Sequence, residues 1–336
     1  FLVSIKNYYS NYNIINTRGL LDSNIGIRSS ASPNISIYNN NISTNGSENN
    51  YGIYIDTTSN NVSIINNSIS SNGTRNNGDT NVGVYLDGRV HQTKVISNLI
   101  KTYGNGTSNY GIYGANGANE SLIADNNIIT SGNGTSNYGI YLLRSANNTI
   151  ANNTISTNGT ANDYGIVLST HSSNNLVMNN TVSANGTGSG NIGIYIVSTS
   201  INNIVRNNVV STNGTLNNYG ILVSSANDNN FTNNSARATG SSYGNFGLYI
   251  SASNRNQFFN NTIATYSGTR SGATSGEGVW LDSSSSGNIL SFNRIMTNGT
   301  DAYNIGFYFT GSVSGNLVSN NTISTQGFST TNYGFN

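Results

Sequence analysis

Between Asn148 and Leu168 the chain reads NTIANNTISTNGTANDYGIVL. Three short runs alternating apolar with polar residues lie in it, around Ile150, Ile155 and Ile166, and Asn, Gly and Thr separate them. Alternation at period two marks a strand, and no window of the chain sustains a helical period. The same unit recurs throughout. Its Gly-centred segment appears as Ile25-Gly26-Ile27, Tyr51-Gly52-Ile53-Tyr54, Val82-Gly83-Val84-Tyr85 and Tyr110-Gly111-Ile112-Tyr113, then at Gly139, Gly165, Gly193, Gly220, Gly247, Gly278, Gly306 and Gly334. Successive glycines stand 26 to 31 residues apart, with a mean of 28. An Asn pair followed by an apolar residue precedes each, as in Asn152-Asn153-Thr154-Ile155, Asn179-Asn180-Thr181-Val182 and Asn320-Asn321-Thr322-Ile323. Another Asn, about five residues earlier, opens a further strand, as in Asn148-Thr149-Ile150 and Asn175-Leu176-Val177.

Three short strands per ~28 residues without helices predict an all-β, right-handed parallel β-helix. Each period is one coil, and each strand pairs with its equivalent in the next. The twelve Gly-centred segments imply about 12 coils in a single solenoid domain over residues 1–336. At roughly 4.8 Å per coil the rod is on the order of 55–60 Å long. Propeller blades need ~40–50 residues each, and leucine-rich repeats need Leu at fixed offsets that are missing.

The composition fits a stack of coils. Asn accounts for 67 of the 336 residues, and only 7% are charged. A charge at a repeated position becomes a column of like charges ~4.8 Å apart, costing roughly 3–4 kcal/mol per neighbouring pair at an effective dielectric of ~20. An amide column instead donates and accepts along the axis, and Asn tolerates left-handed corners. The Asn pairs therefore read as corner or internal ladders. A net charge of +1 with no basic run argues against nucleic-acid binding. The absence of Cys excludes disulfides and thiolate metal sites. No apolar run is long enough for a membrane span, and no cofactor motif or metal-ligand cluster appears. His91 and His171, about three coils apart, read as surface residues, and Arg144, Arg206, Arg237, Arg255 and Arg294 share no register.

One and three residues beyond each Gly stand apolar side chains such as Ile140/Leu142 and Ile166/Leu168, which should fill the core. The position two beyond Gly then faces out. It holds Tyr54, Tyr85, Tyr113, Tyr141, Tyr195, Tyr249, Trp280 and Tyr308, an aromatic stripe along one face. Such a stripe reads either as cross-strand stacking or as a contact surface for sugar or protein. Twenty N-x-S/T sequons are present. Eight, of the form N-G-S/T, fall in one loop of successive coils at Asn45, Asn72, Asn105, Asn133, Asn158, Asn185, Asn213 and Asn298, a candidate row of N-glycans. Sequons inside the ladder, at Asn152 or Asn179, are expected to be too buried for modification. Asp56 and Asp87 share a register on neighbouring coils, with Asp282 in the same register far along the rod. They are weak candidates for acid–base work or calcium, since no His, Lys or Arg recurs beside them in sequence.

The recurring NNxIxxNGTxxxYGIYL pattern resembles the parallel β-helix repeat family, pectate-lyase-like in the broad sense, and most of all its Asn-rich prokaryotic and archaeal surface-protein type. That resemblance implies a fold shared by polysaccharide lyases and hydrolases, adhesins, tailspikes and surface-structural proteins. Its enzymes carry clustered Asp, Lys, Arg or His where this chain carries Tyr. The expectation is therefore a non-enzymatic, extracellular structural protein of a surface layer, sheath or filament, N-glycosylated on its coil loops. The alternative is an adhesin, or a polysaccharide lyase or hydrolase, acting on the Tyr face. The chain opens at Phe1 within a coil and closes at Tyr333-Gly334-Phe335-Asn336 without a capping helix. This suggests a segment of something longer, or head-to-tail or lateral self-association.

Overall fold

The structure, a computed structural model, describes residues 9–19, 23–74, 80–105, 108–242, 244–268, 276–300, 303–327 and 331–336. The opening residues from Phe1 lie outside them. The described residues form three parallel sheets of twelve strands each, in which every third strand of the sequence is a neighbour. One rung shows the pattern. Thr149–Ala151 belongs to the first sheet, Thr154–Asn158 to the second and Asp163–Ser169 to the third. Each strand pairs in parallel with its equivalent one rung on, Thr149 with Leu176, Thr154 with Thr181 and Tyr164 with Ile192. The parallel β-helix and its rung count are as the repeat predicts.

The interior is a set of apolar columns. Ile123, Ile150 and Val177 line it from the first sheet, Ile128, Ile155 and Val182 from the second, and Ile140 with Leu142 from the third. Each such side chain stabilises the fold by roughly 1.5–3 kcal/mol when fully buried. The recurring glycine serves this packing. A Cβ at Gly139 would collide with the Ile155 side chain and lie 2.6 Å from the Gly165 carbonyl oxygen, so only Gly lets the second sheet's Ile column approach the third sheet's backbone.

The Asn pairs divide their labour at the corner between the first and second sheets. The first member takes a left-handed conformation, with φ of 56° at Asn152 and 57° at Asn179, and Asn pays little for it. The second member is buried and stacks. Asn153 donates from its backbone N and its Nδ2 to Asn180 Oδ1, both at 2.9 Å, and from Nδ2 to the Ile123 carbonyl of the preceding rung. Its own Oδ1 accepts from Asn126 N and Nδ2. Backbone groups at the turn are thereby satisfied without charge. Asn148, Asn175, Asn203 and Asn229 repeat the device before the first sheet, and Ser145, Ser172 and Ser200 form a shorter column after the third.

A further ladder lies at the entry to the third sheet. Asn50, Asn81, Asn109, Asn137, Asn191, Asn218 and Asn245 are each fully buried there, and Asn109 Nδ2 donates to Asn137 Oδ1 at 2.8 Å. Asp163 occupies this column at one rung and Gly276 at another. Burial pushes the Asp163 carboxyl up to about 6.

The expected burial of Asn152 and Asn179 is corrected. Both are exposed, because the left-handed corner turns the first Asn of each pair outward while its successor stacks within.

Candidate functional site

The outer face of the third sheet carries the stripe, and the face is wider than the sequence suggested. Strict alternation from Ile140 and Leu142 would place Tyr138 inside. Gly139 changes the phase instead, since its Cβ direction and that of Ile140 both point to the interior. Tyr138 and Tyr141 therefore stand on the same outer face, stacked with centroids 5.4 Å apart. The residue before Gly thus supplies a second aromatic row of Tyr51, Tyr110, Tyr138, Tyr164, Tyr219 and Phe246 beside the expected one.

Over the earlier rungs the rings stack along the axis. Tyr54 to Tyr85 and Tyr85 to Tyr113 are both 4.9 Å, with planes within 8° and 1°, and Tyr113 to Tyr141 is 5.3 Å. Each contact contributes about 0.5–1.5 kcal/mol beyond the area it buries. The column then breaks. Val167 and Leu222 take the stripe position at two rungs, and Tyr164 meets Tyr138 and Tyr195 edge-on. A second block follows, with Trp280 stacked on Tyr249 and tilted against Tyr308 and Phe246.

Charged residues border the face where the strands leave the sheet. Arg28 binds Asp56 Oδ2 through Nε at 3.0 Å and Nη2 at 2.6 Å, and its guanidinium lies over Tyr54. The pairing corrects the sequence reading that no basic residue attends these carboxylates, because the coil brings Arg28 beside Asp56 from one rung earlier. Asp87 accepts from the Tyr54 hydroxyl at 3.3 Å and from Asn116 Nδ2 at 3.0 Å. An open depression lined by Arg89, His91, Asn116, Asn119 and Arg144 adjoins it. Seven rungs away, Asp282 Oδ2 accepts from the Tyr249 hydroxyl at 2.6 Å, and Trp280 Nε1 donates to Thr310 Oγ1 at 2.8 Å. Asp56 and Asp87 thus sit in one column, each tied to its own partners, and Asp282 is remote from both.

Burial, reinforced by the Asp87 charge, pushes the Tyr54 phenol up to about 12. Burial and the neighbouring Tyr141 push Tyr113 to about 12 as well, against an opposing pull from Arg144. These phenols stay protonated near neutrality and act as hydrogen-bond donors. Glu277 takes the second-row position at its rung, fully buried between Phe246 and Ile305, and neither carboxyl oxygen has a partner among the described residues. Burial pushes it up to about 8.

The sequon loop lies at the end of the second sheet. Asn158, Asn185, Asn213 and Asn298 are exposed in one register, which Tyr103 and Ser131 occupy at the rungs of Asn105 and Asn133. Those two, also exposed, lie two residues further on, and Asn45 and Asn72 are half-buried, so the expected single row of sequons is two short rows. His91 and His171 both follow the third sheet, His91 half-buried in a lone parallel bridge with Asn119 and His171 exposed. Among the described residues no group of three His, Cys, Asp or Glu is placed to hold a metal, and no helix is long and apolar enough to cross a membrane.

Comparison with known proteins bears on the fold. The A-module of the Azotobacter vinelandii mannuronan C-5 epimerase AlgE6 is similar over 95% of this chain and 90% of its own, with 13% identity and a TM-score of 0.54. The periplasmic alginate epimerase AlgG is similar over 89% of this chain and 78% of its own, with 15% identity and a TM-score of 0.50. At such identities the likeness is one of fold alone. No curated protein matches the sequence. A family model described as a right handed beta helix region matches residues 83–263, more than half of the chain, which therefore belongs to the right-handed β-helix family.

Proposed function

We propose that the outer face of the third sheet is a carbohydrate-binding surface. The observation that carries this reading is the continuous outward row Tyr54, Tyr85, Tyr113 and Tyr141 on a rigid parallel sheet, flanked by Tyr51, Tyr110 and Tyr138 in the second row, where Val82 takes one rung, and bordered by charged groups. Exposed aromatic and hydroxyl surface without an intramolecular cover is what a contact face requires. The two epimerases act on mannuronan and alginate, and their shared architecture supports a carbohydrate ligand over a purely structural role. A location outside the cytoplasm, in the periplasm or at the cell surface, goes with that reading. Affinity electrophoresis in gels containing neutral or uronate polysaccharides tests it. Retardation by at least one polymer, lost in Tyr113→Ala plus Tyr141→Ala with circular dichroism unchanged, is the expected outcome. Free migration of the wild-type chain through every gel overturns it.

The exposed sequons at the end of the second sheet favour a second, compatible reading of an N-glycosylated surface protein. Intact mass of the native material decides it, an unmodified chain being the adverse result.

A further inference from the structure

The way the tyrosines stack limits how a ligand can meet them. Tyr85 lies between Tyr54 and Tyr113, 4.9 Å from each and nearly parallel to both, and Tyr113 lies between Tyr85 and Tyr141. Both faces of these rings are therefore covered by other tyrosines. A sugar cannot lie flat on them, as it does on an isolated aromatic platform. What remains open is the ring edge and the hydroxyl.

Those hydroxyls differ from one another. Tyr54 donates to Asp87, and farther along the rod Tyr249 donates to Asp282. Among the described residues nothing takes the hydroxyls of Tyr85, Tyr113 or Tyr141, all of which are half-exposed. The ring centroids repeat at 4.9 and 5.3 Å, one ring to each rung, so the hydroxyls recur once per rung. The rigid sheet fixes that interval, so no ordering cost attends it on binding.

On the carbohydrate reading given above, we infer that this row binds a linear, extended 1→4-linked glycan lying along the solenoid axis, about one sugar residue to each rung. Recognition is by phenol hydroxyls to sugar oxygens rather than by ring faces. An extended chain of this linkage advances per residue by a distance close to the rung spacing, so each hydroxyl meets an equivalent oxygen. A chain lying along a single strand, at right angles to the axis, would meet only one residue of each row before reaching the Arg28–Asp56 and Asp87 edge. The break at Val167 and Tyr164 sets the far end of the row.

Titration calorimetry with β-1,4-linked glucan, mannan and mannuronan oligosaccharides of graded length tests the inference. In at least one series affinity should climb until the chain spans Tyr54 to Tyr141 and level off beyond. The Tyr85→Phe plus Tyr113→Phe variant keeps the stack and the melting temperature, and should lose about tenfold in affinity per hydroxyl removed. Binding that ignores chain length, or a Phe variant that binds as wild type while Tyr85→Ala plus Tyr113→Ala fails, overturns the hydroxyl row and leaves the carbohydrate reading standing. Failure of every series and of the long polymers overturns that reading, and this inference with it.

Discussion

Replacing Asp163 by Asn should stabilise the protein at neutral and alkaline pH and leave it unchanged near pH 4. At every neighbouring rung of its ladder an amide both accepts and donates, as Asn109 does to Asn137 and Asn191 to Asn218. Asp163 Oδ1 accepts from Asn137 Nδ2 at 2.7 Å, but Oδ2 is buried without a partner among the described residues, and the next group along the column is Asn191, whose Oδ1 can only accept. A carboxylate there sets acceptor against acceptor, whereas a protonated carboxyl continues the ladder. Holding the group at about 6 rather than 3.8 corresponds to about 3 kcal/mol of preference for the neutral form. The folded-state value is the higher one. Its contribution is therefore fully present below about pH 4 and is lost as pH rises through about 6. Urea unfolding of wild type and Asp163→Asn at pH 4 and pH 8 measures this. The two should agree within about 1 kcal/mol at pH 4, where both complete the ladder, and differ by about 3 kcal/mol in favour of Asn at pH 8. Parallel profiles for the two proteins across that range would refute the reasoning.

Two further outcomes follow from the same chemistry. Asn153→Ala removes the acceptor of Asn126 N and Nδ2 and the donor to the Ile123 carbonyl, so it should cost roughly 3–5 kcal/mol in urea unfolding, while Asn152→Gly at the exposed left-handed corner should stay within about 1 kcal/mol of wild type. Glu277→Gln should melt level with wild type at pH 4 and above it at pH 9, because the buried carboxyl, pushed up to about 8, must ionise without a partner only in the wild-type protein.

The sequence carried the repeat, the inward Ile columns and the corner Asn pairs plainly, because each depends on period and residue type alone. The ladder that includes Asn109, Asn137 and Asn218 was equally visible two residues before each glycine, in Asn109-Tyr110-Gly111 and Asn218-Tyr219-Gly220, but no rule of alternation draws attention to it. The second aromatic row was hidden for a definite reason. Counting outward from Ile140 assigns Tyr138 to the interior, and only the close approach of Ile155 to Gly139 reverses that phase. The stacking of Tyr85 between Tyr54 and Tyr113 depends on rotamers, which composition does not encode. The Arg28–Asp56 pair spans 28 residues in sequence and one step in space, so no local motif announces it. Phe292 shows how firmly the corner geometry is imposed, since it keeps φ at 57° where the other rungs favour Asn, although its side chain is 53% exposed.

Because each rung bonds only to the rung on either side, the molecule behaves as a ruler graduated in single coils. Excising one whole unit, from a residue of one rung to its equivalent in the next, would shorten the shaft by one graduation. The apolar, amide and aromatic columns would all close over the gap in register. A cut of any other length would put an apolar side chain where an amide belongs. Duplication and loss of complete units is therefore the cheap way for such a chain to change its reach, and point substitution is the way it changes what any one graduation can hold.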